Sequence, residues 1–157
     1  MMYRFRIGNY RISFTFALVT DVVGVNGNLD GNDHILMWDF DKTTLNDVVE
    51  SLLTVQLVYE LPKIYILESK KDTNFMAYCF KRTPWRKVVE IIAFTKGVDW
   101  NYLRVGIYRN HFTLRVTPKS GRKPKLIWTL KSNVPEDCNI FELMSWVEYE
   151  TLADKRL

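Results

Sequence analysis

Two aspartates stand one residue apart at the end of an apolar run in the first third of the chain. Asp39 and Asp41 close the run 34–41, most of whose other residues are apolar. On a β-strand alternate side chains share a face, so the two carboxylates would point the same way. A pair of oxygen ligands held like that can bind a hard divalent cation. The structural alternative is an acidic turn in which Asp41 caps the next helix.

A third carboxylate, Asp99, stands at the boundary of another apolar segment. Two or three carboxylates around one or two Mg²⁺ or Mn²⁺ ions are what phosphoryl or nucleotidyl transfer needs, because the metal lowers the pKa of an attacking hydroxyl and neutralises charge on the phosphate. Asp39, Asp41 and Asp99 are therefore the candidate catalytic residues and metal ligands.

A long stretch in the second half of the chain contains basic residues but no acidic ones. The net charge is just +4, yet residues 100–135 include no acidic residue. Such a stretch is a candidate surface for a polyanion. Alternatively, it is a solvated face whose acidic partners come from elsewhere in the chain. Its basic residues are Arg104, Arg109, Arg115, Lys119, Arg122, Lys123, Lys125 and Lys131.

The segment 109–119 is the part of this stretch with the clearest pattern. Alternation along a strand would put His111, Thr113 and Arg115 on one face. Arginine can form paired hydrogen bonds with a phosphate, and lysine adds a point charge. His111 taken alone is more often a surface or turn histidine. The candidate phosphate-binding residues are Arg109, His111, Arg115, Lys119, Arg122, Lys123 and Lys125.

Aromatic side chains offer a third kind of site. Rings can stack the bases of a single strand, although core packing is the commoner use of such residues. The candidates are Trp38, Trp85, Trp100 and Tyr102. No serine or cysteine stands in a recognisable nucleophile elbow, and the only histidines are His34 and His111, which excludes a histidine-rich metal site.

Composition indicates one ordinary globular domain over residues 1–157. Of the 157 residues, 47% are hydrophobic and 25% are charged, which is typical of a folded protein. Cys79 and Cys138 have no paired spacing, so neither a disulfide framework nor a zinc site is expected. The sequence has no signal-peptide pattern and no run long enough to span a bilayer. We therefore expect a soluble, cytoplasmic protein; the oligomeric state is not predicted.

The order of hydrophobic patterns predicts an α+β fold, with a mainly antiparallel sheet packed by two to three helices. A helix from Thr44, in a capping box with Asp47, to about residue 57 lies between two strands and forms a βαβ unit. A second helix has Thr83 as its N-cap and ends at Gly97. The other predicted elements are a hairpin of 3–7 and 10–20, a loop at 24–33, strands at 64–67, 75–80, 103–108, 112–117 and 126–131, and a C-terminal helix at about 139–152.

The order of these motifs resembles the catalytic core of archaeo-eukaryotic-type primases, including the primase-polymerases of plasmids and viruses. The matching segments are 37–41 (MWDFD), 66–69 continuing to 77–78 with Ser69 in the turn, 97–99 (GVD) and 109–119, and the resemblance covers about 34–131. It implies an RRM-like, nucleotidyltransferase-like sheet with helices on one face. It also implies Mg²⁺ or Mn²⁺ at the aspartates, with DNA and nucleotides as partners in viral or plasmid replication, and so a place in the host cytoplasm if the protein is viral.

One departure from the family concerns its nucleotide-binding histidine, since the segment 74–78 (NFMAY) at that place has none. Lys70, Lys71 or His111 would have to replace it, or polymerisation is lost. The leading hypothesis is a primase-like nucleotidyltransferase that acts on DNA rather than RNA. One alternative is a metal-dependent DNA nuclease, with Glu68 or Glu90 as an extra carboxylate. The other is a DNA- or RNA-binding protein without catalysis.

Overall fold

The computed structural model describes residues 2–15, 19–118, 121–143 and 146–152. These residues form an α+β fold in which every strand pairing is antiparallel, as the sequence predicts. The strands are β1 (Met2–Ile7), β2 (Tyr10–Thr15), β3 (Val19–Asn26), β4 (Asp33–Asp41), β5 (Ile64–Lys70), β6 (Asn74–Pro84), β7 (Thr113–Arg115), β8 (Lys125–Leu130) and β9 (Trp146–Leu152). The helices are α1 (Leu45–Val58), α2 (Trp85–Phe94) and α3 (Trp100–Arg109).

A four-stranded sheet forms the centre of the described structure. Its strand order is β4-β6-β5-β8. Because β4 and β5 are both antiparallel to β6, they run parallel to each other, and α1 connects them. This is a split βαβ unit, which agrees with the predicted strand, helix and strand. The fourth strand, β8, adds to the outer edge of β5.

Helix α1 follows directly from local sequence signals. The Thr44 hydroxyl accepts a hydrogen bond from the Asp47 N–H and donates one to the Asp47 carboxylate, so the predicted cap is confirmed. The three buried apolar residues Val48, Leu52 and Val55 recur at helical spacing and form the face that packs on the core.

Helix α2 lies on the same face of the sheet as α1. The Trp38 indole N–H donates to the Thr95 hydroxyl at 2.9 Å, just past the end of α2. Val88 and Ile92 of α2 are buried on the side of the helix that packs on the core. The predicted N-cap Thr83 is wrong. Thr83 is still part of β6 and its hydroxyl donates to the Lys81 carbonyl, while the structure has Pro84 at the N-cap without a side-chain cap.

The predicted strand at 103–108 is wrong, because this segment is part of helix α3. The Asp99 carboxylate accepts a hydrogen bond from the Tyr102 N–H at 2.7 Å and starts the helix, and Asn110 ends it in the left-handed conformation at φ 56°. Only Leu103 and Gly106 of the helix are buried. Their spacing of three is a helical period, whereas a strand would bury alternate residues.

The chain ends also differ from the expectation. The hairpin of β1 and β2 is confirmed, with its second strand described from Tyr10 to Thr15. Residues 16–18 of the predicted strand 10–20 lie outside the described part, and residues 19 and 20 belong to β3, which extends to Asn26 into the predicted loop 24–33. The predicted C-terminal helix 139–152 is wrong: a 3₁₀ turn covers Ile140–Glu142, and β9 pairs with β3 from Trp146 to Leu152. Residues 144 and 145 lie outside the described part. Pairing with β3, which is remote in sequence, decides this segment.

The cysteines and the lengths of the helices can be compared with what the sequence predicts. Cys79 and Cys138 are both buried and free of disulfide bonds. Burial raises the pKa of the Cys138 thiol to about 12, which makes it a poor nucleophile. Among the described residues, no helix combines the length and the apolar character needed to cross a bilayer.

Candidate functional site

Asp39 and Asp41 lie on one face of β4, as the alternation predicts. In the register with β6, Asp39 is opposite Met76 and Asp41 is opposite Asn74. Asp39 is half-buried and Asp41 is exposed. The Asn74 side-chain amide donates a hydrogen bond to the Asp41 carboxylate. Since Thr44 caps α1, Asp41 does not have the capping role that was the structural alternative.

Asp99 is brought to the same place by helix α3. Its backbone N–H donates to the Asp39 carbonyl at 2.8 Å, and the Tyr102 hydroxyl donates to the Met37 carbonyl at 3.0 Å. Both acceptors belong to the edge of β4 that does not pair with β6. The first turn of α3 therefore covers this open strand edge and holds Asp99 beside Asp39.

The electrostatics of Asp39 show that the charges of Asp41 and Asp99 act on its carboxyl. Burial, and then the charges of Asp41 and Asp99, raise the pKa of Asp39 to about 7, while Arg115 acts in the opposite direction. The pKa of the Tyr78 hydroxyl is raised by its burial and by the Asp39 charge. Asp39 is thus the centre of a cluster, which we call the carboxylate cluster, made of Asp39, Asp41 and Asp99 with Arg115 at its side.

The donor chemistry of the carboxylate cluster fits Mg²⁺ or Mn²⁺, since both prefer carboxylate oxygens. Its arrangement is not that of a complete ligand set. Within the described ranges, no three acidic, histidine or cysteine side chains are close enough together to hold a metal ion. Asp41 is engaged by Asn74 and Asp99 by the Tyr102 N–H. Binding of an ion would require these carboxylates to turn toward Asp39.

The predicted phosphate-binding residues fall into several groups. Arg115 acts on Asp39 from β7 and so lies beside the carboxylate cluster, whereas Arg109 and His111 line a separate hollow of about 60 Å³ at the end of α3. Lys123 and Lys125 are exposed, and Lys125 begins β8, which two strands separate from β4. Arg122 is half-buried in the loop before β8, and Lys119 lies outside the described residues.

The three additional candidates have local structural contacts. Glu68 accepts a hydrogen bond from the Asp72 N–H in the turn between β5 and β6. The Ser69 hydroxyl donates to the Asn74 carbonyl at 3.3 Å, which supports the residue that contacts Asp41. Glu90 forms an ion pair with Lys87 on α2, which packs on the opposite face of the sheet from Asp39.

Of the four aromatic candidates, only Trp100 remains available for stacking. Trp38 is fully buried, Trp85 packs against Phe112, and Tyr102 is stacked on Phe112 with ring centroids 5.0 Å apart. These three confirm the core-packing alternative. Trp100, by contrast, is 68% exposed at the start of α3.

Sequence reasoning missed a second exposed ring, Tyr108, which is 88% exposed. Positions four apart on a helix are neighbours on one face, so Trp100, Arg104 and Tyr108 form a row along the outside of α3, which we call the α3 row. The spacing of four was present in the sequence. That spacing does not indicate a shared surface if 103–108 is a strand, because residues four apart on a strand are too distant to contact each other.

The histidines do not act together with the carboxylate cluster. His34 is 4% exposed and its ring lies 4.9 Å from that of Trp85. Burial, and then the nearby His111, lower the pKa of His34. His34 is therefore a neutral core residue at physiological pH.

A cleft larger than the hollow at the end of α3 lies between α1 and the end of α2. Its volume is about 340 Å³, and Phe40 forms its floor. Since Phe40 and Asp39 are consecutive on a strand, they point to opposite faces of the sheet. The cleft and the carboxylate cluster are therefore separate. The other side chains that line the cleft include Thr43, Asp47, Glu50, Thr54, Phe94 and Lys96.

In comparisons with known proteins, no family model, no curated protein and no solved structure matches this chain. The likeness to the primases therefore depends on the sequence motifs alone.

Proposed function

We propose that this chain is a metal-dependent nucleic-acid-processing protein that carries out primase-like nucleotidyl transfer on DNA, in the replication of a virus or plasmid. The observation that carries the proposal is the meeting of Asp99 with Asp39 and Asp41 through the 2.8 Å hydrogen bond from the Asp99 N–H to the Asp39 carbonyl. Burial, and then the charges of Asp41 and Asp99, raise the pKa of Asp39, and a divalent cation would neutralise these neighbouring charges.

Each residue of the carboxylate cluster has a defined role in this proposal. Asp39, Asp41 and Asp99 would hold Mg²⁺ or Mn²⁺, which would lower the pKa of an attacking hydroxyl and neutralise phosphate charge. Arg115 binds a phosphate oxygen beside Asp39, for which its planar guanidinium is suited. Asn74 orients the Asp41 carboxylate through its hydrogen bond.

The α3 row supplies a path for the nucleic acid. The nine helical residues from Trp100 to Tyr108 are separated by eight rises of about 1.5 Å and span about 12 Å, roughly the length of three stacked bases at 3.4 Å each. Stacking on the two rings and pairing of the Arg104 guanidinium with a phosphate do not depend on base identity. The row starts next to Asp99, so a single strand bound along it would end at the carboxylate cluster.

A second candidate function is single-strand binding without catalysis. It is favoured by a specific contrast. The rings of the α3 row are exposed to solvent in this structure, whereas no three carboxylates of the described residues are close enough together to bind one metal ion. A metal-dependent nuclease is a third outcome, because the same carboxylates and arginine would serve phosphodiester hydrolysis.

One experiment separates the three functions. The full chain is incubated with a labelled primer–template, a labelled single strand, nucleotides and Mn²⁺, and the products are resolved by length. The Asp39→Asn/Asp41→Asn variant is run in parallel. The matched control is Glu50→Gln/Glu60→Gln, which removes the same charge from two exposed positions, one on α1 and one in the turn that follows it. We expect extension by the parent and the control and a loss of at least about 100-fold in the variant, as for the removal of metal ligands or electrostatic stabilisers.

Other results have equally clear meanings. If the parent gives shortened products and the Asp39→Asn/Asp41→Asn variant does not, the function is hydrolysis rather than nucleotidyl transfer. If the labelled strand is only retarded in the gel, to the same degree by the parent and the variant and with no new product, the function is single-strand binding without catalysis. Extension that persists undiminished in the variant would remove the carboxylate cluster as the active site.

A further inference from the structure

The hairpin of β1 and β2 separates apolar and basic side chains onto its two faces. Directly opposite residues of an antiparallel pair share a face. One face has three pairs of large apolar residues, Tyr3 with Phe14, Phe5 with Ile12 and Ile7 with Tyr10. The other face has Arg4 opposite Ser13 and Arg6 opposite Arg11. We call the first the apolar face of the hairpin.

The whole apolar face is exposed to solvent. The exposed fraction of its six residues runs from 36% at Ile12 to 78% at Tyr10. The rings of Phe5 and Phe14 contact each other across the strands, with centroids 5.8 Å apart, so the face is continuous. From the size of aromatic side chains, it exposes about 600 Å², which is at or above the largest apolar patch of a typical monomer.

A hairpin with this sequence needs a partner for its own stability. Two-stranded hairpins are at best marginally stable in water and require a further packed layer. The directly opposed like charges of Arg6 and Arg11 weaken the pairing further. The apolar face is the side on which a covering layer would bury the most surface.

The chemistry of the two faces indicates which partner fits. Residues 1–20 contain no acidic residue, and the first acidic residue of the chain is Asp21. An uncharged apolar face is complementary to another uncharged apolar face, and two identical faces can pack around a twofold axis. Arg4, Arg6 and Arg11 would then all point outward into water. A nucleic acid would instead cover the arginine face and leave the apolar face exposed.

We propose that the hairpin is a homodimerisation element in which the apolar face of one copy packs on the same face of a second copy. Two such faces bury about 1,200 Å² together, which exceeds the roughly 1,000 Å² that a specific interface needs. The result is a two-layer, four-stranded β-sandwich of two hairpins. The dimer does not depend on the function of the carboxylate cluster.

The first test is sedimentation equilibrium of the full chain over a range of concentrations. We expect the parent to dimerise. In Phe5→Thr/Phe14→Thr, which retains β-forming residues but removes two rings per copy, the dissociation constant should rise at least about 30-fold. The matched control Arg4→Thr/Arg11→Thr changes the opposite face of the same hairpin and should leave the dissociation constant unchanged. A parent that stays monomeric, or a dimer that only the arginine variant dissociates, overturns the proposal.

A second test does not depend on weakening the hairpin. Ile12→Cys places a thiol on the apolar face, whereas Ser13→Cys places one on the opposite face. The native Cys79 and Cys138 are buried and should not compete. Mild oxidation should give a disulfide-linked dimer with Ile12→Cys and not with Ser13→Cys. Equal cross-linking of both variants overturns the proposal. A monomeric parent that binds phosphatidylserine vesicles through Phe5 and Phe14 would instead assign the apolar face to a lipid surface.

Discussion

The backbone N–H of Asp99 donates a hydrogen bond to the backbone carbonyl of Asp39 at 2.8 Å. This contact connects the residue that begins α3 to the strand that carries the other two candidate ligands. The Asp99 side chain also accepts a hydrogen bond from the Tyr102 N–H. Asp99 therefore has a structural role and a place in the carboxylate cluster, and the two roles can be separated by substitution.

Asp99→Ala should destabilise the protein, and Asp99→Asn should not. Alanine removes the N-cap of α3, at a cost of about 0.5–2 kcal/mol, whereas asparagine caps as well as aspartate does. Both variants lose the carboxylate, so both should lose the proposed metal-dependent activity to a similar degree. Urea unfolding and the extension assay, run side by side, measure the two effects. Asparagine that restores activity as well as stability would make Asp99 a capping residue only.

Asp39→Asn should remove a pH dependence of stability. The pKa of the Asp39 carboxyl is about 7 in the folded protein against an ordinary value of 3.8. Between these values the unfolded chain releases a proton that the folded chain retains, so the free energy of unfolding falls as the pH rises toward 7 and then levels off. Asparagine does not titrate. The variant should gain stability relative to the parent as the pH rises, and keep that gain above the folded pKa.

The measurement is the difference in unfolding free energy between variant and parent at about pH 5 and about pH 8, since titrating groups distant from Asp39 cancel in a difference. The control Glu50→Gln removes an exposed carboxylate and should keep the parental slope. A difference that is the same at both pH values would contradict the prediction.

Thr95→Val should destabilise the core beneath α2. Thr95 is 4% exposed, and its hydroxyl accepts from the Trp38 indole and donates to the Ile91 carbonyl. Valine has nearly the same shape but leaves the buried indole N–H without its acceptor, which costs about 1–3 kcal/mol. Thr95→Ser retains the hydroxyl and should cost less. Thermal or urea unfolding compares them, and equal stability of the valine variant and the parent would argue against the hydrogen bond.

Loss of the two rings of the α3 row should weaken single-strand binding. Stacking of a base on an aromatic side chain contributes about 1–3 kcal/mol, so Trp100→Ala/Tyr108→Ala should raise the dissociation constant for a single-stranded oligonucleotide at least about 30-fold. Duplex DNA, whose bases are already stacked, should be affected much less. Phe141→Ala is the control, because Phe141 is 94% exposed and lies outside α3. Fluorescence anisotropy at fixed salt gives the constants, and an equal loss for Phe141→Ala would remove the specific role of the row.

Much of the central sheet and α1 could be predicted because their signals are local. The Thr44 and Asp47 pair starts α1, and Val48, Leu52 and Val55 recur at helical spacing. The alternation along β4 correctly placed Asp39 and Asp41 on one face. These features depend on residues that are neighbours in sequence, so the printed chain contains them in full.

The segments 103–108 and 146–152 show where local pattern fails. Leu103, Val105 and Ile107 alternate as in a strand, yet the Asp99 cap and the contact of Gly106 with Phe112 make the segment a helix. Trp146–Leu152 has apolar residues at helical spacing, yet it pairs with β3. In the first case a helix cap and a close packing contact outweigh the apparent alternation, and in the second case pairing with a strand remote in sequence outweighs a weak local preference.

By itself, the sequence determined the composition of the candidate site: two aspartates in alternation, a third aspartate farther along, and a basic stretch without acidic residues. Only the tertiary structure decided that Asp99 meets Asp39, that Arg115 and not Lys125 lies beside them, and that Trp100 and Tyr108 share one exposed helix face. Spacing along a chain fixes which residues are neighbours within one strand or helix. Which strand edge a helix covers depends on hydrogen bonds and burial between elements that are distant in sequence.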